Sequence, residues 1–266
     1  MRELRAEGVT VRFGGLLAVA DVSLDVPVGG FVGLIGPNGA GKTTLFNAIN
    51  GFLPPSSGRI RYGDLDLTDL PTWRRARLGI GRTFQKLELF GRMTVFDNLL
   101  AAAEAGTSRL DVASDLLHLP RRRREESKCA RIAEEFMDLL GLGWARDRFA
   151  GELPVGTARL VELGRALCGG SQVLLLDEPS SGLDSAETKA FGRLLTGLNQ
   201  ERGIGILLVE HDMDLVLDVC REVYVLDFGK LIAQGPPSGL AADPAVRAAY
   251  LGEEDRGPSA AQASRG

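Results

Sequence analysis

Nine residues constrain this chain more than any others: Gly36-Pro37-Asn38-Gly39-Ala40-Gly41-Lys42-Thr43-Thr44. They fit the spacing G-x-x-x-x-G-K-[ST], with Gly36, Gly41, Lys42 and Thr43 at its fixed positions. A polyphosphate wrapped by backbone N–H groups needs a loop that turns tightly and carries no side chain in the way, so the loop needs glycine. Lys42 then reaches the β- and γ-phosphates and the Thr43 hydroxyl suits Mg²⁺. Asn38, Gly39, Ala40 and Thr44 complete the candidate cradle. The flanks agree. The apolar run Gly30-Phe31-Val32-Gly33-Leu34-Ile35 reads as a buried strand. Thr43 to Asn50 reads as a helix whose N-terminus adds positive potential under the phosphates. The bland alternative is a glycine-rich turn, and the strand and helix on either side weigh against it.

Composition bounds the rest. With 266 residues, 44% hydrophobic and 25% charged, the chain can bury a large core. Its net charge of -4 leaves no global electrostatic case for nucleic acid. Cys129, Cys168 and Cys220 are odd in number and lack metal spacing, so they read as reduced structural thiols. The segment Met1 to Glu7 has no apolar run of the kind a signal peptide needs. No apolar run approaches the roughly 20 residues that span a bilayer, so any membrane role comes through a partner.

Val9 to Phe13 and Val22 to Val26 alternate, predicting antiparallel strands ahead of the phosphate loop. Pro54-Pro55-Ser56-Ser57-Gly58 predicts a turn, followed by a strand over Arg59 to Tyr62 and another over Ile80 to Phe84. The middle changes character. Val95 to Ala105 and Ala130 to Leu140 carry helical spacing. Between them lie His118, read as surface or packing, and the run Arg121 to Arg124, read as a solvated helix face. Helix–strand alternation then resumes. Helices over Ala158–Cys168, Ala186–Arg202 and Met213–Val219 separate strands over Val173–Asp177, Ile204–Val209 and Val223–Asp227. That order predicts a parallel sheet with helices on its faces. The composition of Glu253 to Gly266 predicts a disordered tail.

The apolar strand Val173 to Leu176 ends in Asp177-Glu178, and ligands in open α/β sheets lie at the carboxyl ends of strands. Asp177 suits the Mg²⁺ shell. Glu178 suits the base that orients or activates water. His211 follows a strand at the same edge and is read as a γ-phosphate contact. Gln85 ends another strand, where its amide suits Mg²⁺ or the attacking water. A lone Gln, a lone His or an acidic turn would each mean little; their common edge gives them weight.

In order along the chain, these features resemble the ATP-binding subunit of an ABC transporter. The set is the phosphate loop, Gln85, a signature region Leu153–Thr157, Asp177-Glu178, Ser181-Gly182-Leu183-Asp184 and His211, and the resemblance covers about Leu4 to Gly252. It implies a P-loop NTPase α/β fold of the ABC ATPase type, with an antiparallel β subdomain and a helical subdomain over about 86–157. It makes residues 1–252 one ATP-binding domain. It also implies ATP and Mg²⁺ as cofactors, and Phe13 as the aromatic face that stacks on adenine. Phe13-Gly14-Gly15-Leu16, Gly79 to Gln85, Val209 to Met213 and Ala249 to Gly252 resemble the branched-chain amino acid importers. The implied partners are transmembrane permease subunits, a second ATP-binding subunit and, indirectly, a substrate-binding protein. The implied place is peripheral, on the cytoplasmic face of the membrane. Related systems carry urea or short amides, so the cargo stays open.

One motif departs. The usual signature is Leu-Ser-Gly-Gly-Gln, and here Leu153-Pro154-Val155-Gly156-Thr157 stands in its place. Gly156 is kept, the serine hydroxyl is lost, and Pro154 has no backbone N–H. The signature acts on nucleotide held by the partner subunit, so the expectation is an asymmetric heterodimer. Two other readings stand beside the transporter. One is a soluble ABC ATPase of translation or DNA repair; the single phosphate loop and the lack of a long coiled coil speak against it. The other is a nucleotide-sensing subunit with weak hydrolysis; Glu178 and His211 speak against that.

Overall fold

The computed structural model describes residues 2–107, 120–240 and 243–254. Two sheets dominate. The first is antiparallel and four-stranded, in the order β2-β1-β4-β5. Its members are β1 (Leu4–Phe13), β2 (Leu16–Val26), β4 (Ser57–Tyr62) and β5 (Leu65–Asp66). The second has six strands in the order β10-β9-β3-β8-β7-β6. They are β3 (Phe31–Ile35), β6 (Ile80–Arg82), β7 (Val173–Asp177), β8 (Gly205–Val209), β9 (Glu222–Asp227) and β10 (Lys230–Gly235). Pairing is parallel from β9 through β6, and β10 adds an antiparallel edge.

Alternate residues of the central strands serve two different cores. Phe31, Ile35, Leu174, Leu176, Ile206 and Leu208 pack on the side of the long helices. Val32, Leu34, Leu175, Leu207 and Val209 pack on the side of the antiparallel sheet and α1 (Lys42–Asn50). A strand buried on both faces has no polar positions to alternate, which is why these segments read as continuous apolar runs.

The helices on the first side are α3 (Val95–Thr107), α4 (Pro120–Leu139), α5 (Val155–Cys168) and α6 (Ser185–Arg202). Shorter helices are α2 (Thr72–Arg77), α7 (Met213–Val219), α8 (Pro237–Leu240) and α9 (Pro244–Glu254). None of the described helices is long and apolar enough to cross a membrane.

Several boundaries differ from expectation. The helix placed at Ala158 begins at Val155, directly after Pro154. Proline fits a helix start because the N–H it lacks has no partner there in any case. The strand expected to reach Phe84 stops at Arg82. The short elements α2 and β5 and the edge strand β10 have no counterpart in the sequence reading. His118 and the tail beyond Glu254 lie outside the described residues, as do the side chains of Arg121 to Arg123; Arg124 is exposed.

Candidate active site

Three neighbouring strands deliver the candidate residues to one edge. The phosphate loop follows β3, Asp177 closes β7, and Glu210-His211 follows β8. Registers align them: Leu34 pairs with Val209, and Val209 pairs with Asp177.

The loop is held by backbone contacts so close that they exclude any β-carbon. At Gly36, φ is 145° and a Cβ would lie 2.1 Å from the Leu226 carbonyl oxygen. At Gly41, φ is 99° and a Cβ would lie 2.5 Å from the Ala18 carbonyl oxygen. Gly41 caps α1 without a side-chain hydrogen bond, and no acidic residue occupies the first turn. The first N–H groups of α1 therefore lack intrahelical partners and face the loop, which fits an anion such as phosphate. Lys42 is buried, and its Nζ donates to the carbonyls of Gly36 (2.6 Å) and Pro37 (3.0 Å). Asn38, Gly39 and Thr43 are exposed, Ala40 is buried, and Thr44 is half-buried.

Ala18, which meets Gly41, lies two residues beyond Leu16, the Cα partner of Phe13. The β1–β2 hairpin thus approaches the phosphate loop through Ala18, and Phe13, at the turn of that hairpin, is half-exposed.

The Gln85 amide Nε2 donates to Glu178 Oε2 at 2.9 Å. Glu178 sits at φ 46°, a left-handed conformation rarely adopted by a glutamate. Its own N–H donates to the Val209 carbonyl, which holds that turn. Such strain concentrates at functional sites. Asp177 is buried, and burial pushes its pKa up; Arg82 and Lys42 oppose the rise, while Glu178 and Glu210 add to it. Among the described residues no group of three or more His, Cys, Asp or Glu side chains is placed to hold a metal. Thr43 and Asp177 are still a fitting pair for Mg²⁺, which takes one or two protein oxygens and fills the rest with phosphate and water.

Glu210 is wholly buried and organises the edge. Its Oε1 accepts from the Ser180 N–H and its Oε2 from the His211 N–H. His211 itself is exposed, with Nδ1 3.7 Å from Glu210 Oε2.

The signature region forms the first turn of α5. Pro154 is its cap residue, at φ -55° and ψ 151°, and Leu153, Gly156 and Thr157 are half-buried around it. A Cβ on Gly156 would lie 2.6 Å from Glu187 Oε1. Glu187 belongs to the capping box that Asp184 makes at the start of α6.

A model of the ABC transporter family matches residues 19–181. The chain belongs to the ABC transporter ATP-binding family. A second model, the branched-chain amino acid ATP-binding cassette transporter, matches residues 230–256 of this cassette. The high-affinity branched-chain amino acid transport ATP-binding protein LivG of Escherichia coli is 41% identical over 250 residues, covering 94% of this chain and 98% of LivG. The lipopolysaccharide export system ATP-binding protein LptB of Escherichia coli is 37% identical over 256 residues, covering 96% of this chain and all of LptB. A solved ATP-binding cassette of an ABC transporter in its ADP conformation superposes with a TM-score of 0.81 at 34% identity, covering 95% of this chain and 100% of that one.

The cassette also uses residues that sequence reasoning left without a role. Arg159 and Glu162 on α5 form a buried pair at 3.1 Å. Arg159 donates to the carbonyls of Phe84 (2.9 Å) and Gln85 (2.8 Å), and Glu162 accepts the Phe84 N–H. The helix that starts at the signature thereby grips the Gln85 segment. Burial pushes the Glu162 pKa up, opposed by the Phe84 N–H and by Arg159. The sequence signal was Arg159 and Glu162, three residues apart and opposite in charge, in a helix whose one other charged residue is Arg165. Arg82 lies between the rings of Phe46, Phe52 and Phe84, at 5.1, 4.8 and 4.4 Å. Nothing in the sequence alone shows this enclosure.

Proposed function

We propose that this cassette hydrolyses Mg·ATP to drive import of branched-chain amino acids, or of kindred small polar solutes such as urea or short amides. In this reading residues 1–252 form one working domain, with the helical part at about 86–157. The observation that carries it is Glu178. It stands at the carboxyl end of β7, beside the phosphate loop, in a conformation tied by Val209 and by Gln85.

Placement and the family resemblance support the following roles. Gly36 to Thr44 hold the polyphosphate, with Lys42 as the charged donor. Phe13 stacks on the base. Thr43, Asp177 and Gln85 are the proposed holders of Mg²⁺, which would supply positive charge against the polyphosphate. Ionised Asp177 is favoured by such a cation, which would reverse the effect of burial. Glu178 orients and deprotonates the attacking water, with Gln85 fixing its carboxylate. His211 contacts the γ-phosphate, backed by the buried Glu210. Leu153, Gly156 and Thr157 face nucleotide bound to a second ATP-binding subunit.

The cassette sits under transmembrane permease subunits, peripheral to the cytoplasmic face of the membrane. A binding protein supplies the cargo to the permease. The groove between α2, β6, α3 and α5 is about 960 Å³ and lined by Trp73, Ile80, Phe84, Ala102 and Arg165. That mixed apolar and cationic wall suits a helix of the permease. The match of residues 230–256 to the branched-chain model favours import. Similarity to LptB is the specific reason to keep lipid export as the second reading.

Glu178→Gln tests the assignment. Glutamine keeps an acceptor for Gln85 but is no base. The assembled variant is expected to bind ATP, lose turnover by at least about a hundredfold, and hold the closed dimer. Steady hydrolysis at the parent rate would remove Glu178 from the role of base. Reconstitution with the neighbouring permease and labelled leucine, urea or lipopolysaccharide separates the cargo readings.

A further inference from the structure

The six residues of α2 face two ways. Trp73, Ala76 and Arg77 line the groove described above. Arg75 points the other way and is buried to 1% exposure. Its Nη1 donates to the carbonyls of Ala48 (3.0 Å) and Ile49 (2.6 Å). Its Nη2 donates to Leu67 (2.7 Å) and Thr68 (3.1 Å), and its Nε to Leu70 (2.8 Å). An arginine has five N–H donors, so the whole fork is used on backbone oxygens.

No carboxylate is among these partners. Burial lowers the Arg75 pKa to about 10, and Asp66 and Asp69 oppose this only through their charge. Ala48 and Ile49 end α1, the helix whose other end is the phosphate loop. α1 has no basic residue in its last turn, and Arg75 supplies the cation that such a C-terminus favours. Gly51 closes α1 at φ 84°, where a Cβ would lie 2.6 Å from Arg75 Nε. Space for the guanidinium is therefore built into the helix end.

We propose that Arg75 is a positioning residue that couples the groove wall to the phosphate-loop helix, so that ligand binding at one is felt at the other. Fork geometry makes this specific. Two N–H groups grip α1 and three grip the 67–70 turn, so a shift of α1 must carry the base of α2 with it or break several bonds at once. The use of this link in transport rests on reading the groove as the permease contact; the link itself does not.

The test uses the full chain. Trp73 and Trp144 are its two tryptophans, and Trp144 lies outside the groove. In a Trp144→Phe background, Trp73 reports on the groove wall alone, with Arg74 and Arg77 stacked at 5.1 and 5.2 Å from its ring. Titration with Mg·ADP is expected to change Trp73 emission, with the midpoint that calorimetry gives for nucleotide binding. Arg75→Lys keeps the charge but not the fork, and is expected to bind Mg·ADP while the emission change falls at least about threefold. A silent Trp73 with Arg75 present, or an Arg75→Lys response equal to that of the Arg75 protein, would overturn the proposal. Hydrogen exchange on the Arg75 protein decides the matter if the lysine variant does not fold. Mg·ADP should then protect the amides of 67–77 together with those of α1, and protection confined to 36–50 would overturn the link. Failure of the permease to bind would leave all these outcomes unchanged and would strike only the groove reading.

Discussion

α1 and α5 both begin without a side-chain cap, yet they are prepared for phosphate in different ways. The start of α1 is enclosed: glycines at 36 and 41 press against the carbonyls of Leu226 and Ala18, and Lys42 is folded into the loop. The start of α5 is open, with Pro154 and Val155 exposed and Thr157 half-buried. By contrast, α6 and α7 close their own ends, with Asp184 and Asp212 accepting first-turn N–H groups. An enclosed end can select its ligand within one chain. An open end needs a second surface to complete it, as expected of a signature that acts across a dimer. On the proposed reading, the enclosed end is a whole binding site and the open end half of another.

The largest expected effect breaks the enclosed end. Lys42→Ala removes the one cation of the phosphate loop and the donors to Gly36 and Pro37. Bonds to charged groups contribute about 1.5–3 kcal/mol each, so affinity for Mg·ATP should fall on the order of a hundredfold or more. Calorimetry on the isolated chain checks this. Unchanged affinity would mean that the enclosed end does not bind the polyphosphate.

A second effect lies between the two ends. Arg159→Met strands the buried carboxylate of Glu162, and breaking such a pair costs about 3–5 kcal/mol. Chemical denaturation should show it. Arg159→Met with Glu162→Leu should recover part of that stability, because the unpaired charge is gone. Turnover should not return with it, because the carbonyls of Phe84 and Gln85 lose the Arg159 donors in both variants. Recovery of both together would make the pair a purely structural element.

How much of this was legible in the sequence follows the same contrast. Strands β3, β7 and β8 were legible because burial on both faces leaves uninterrupted apolar runs, and the phosphate loop was legible because its glycines admit no substitute. Glu178 and Gln85 could be named singly; their 2.9 Å contact joins residues 93 positions apart and depends on how β6 and β7 pair. Arg75 was invisible, since a buried arginine in Trp73-Arg74-Arg75-Ala76-Arg77 looks like part of a solvated basic turn. Only the carbonyls around it distinguish it from its neighbours. The start of α5 was misplaced because Gly156 and Thr157 are weak helix formers, and the first turn gains its order from packing on Leu183 and Glu187.

The smallest effect tests the open end. Pro154→Ser restores a hydroxyl at the cap of α5, and serine at that position stabilises a helix by about 1 kcal/mol relative to a residue that cannot cap. In the isolated chain this is all it should do: a slight gain in stability, with no change in affinity for Mg·ATP, because the nucleotide there is held by α1. In the proposed assembly the same hydroxyl would meet the partner's nucleotide. A bond to a charged phosphate is worth about 1.5–3 kcal/mol, or roughly a ten- to hundredfold gain in turnover at that second site. A gain in assembly alone would establish that the two ends serve different nucleotides and that proline makes the pair unequal. A gain already present in the isolated chain would mean that α5 acts within its own subunit. No kinetic change in either form would mean that the uncapped first-turn N–H groups of Val155, Gly156 and Thr157 suffice without a hydroxyl, and the asymmetric heterodimer would lose its physical basis.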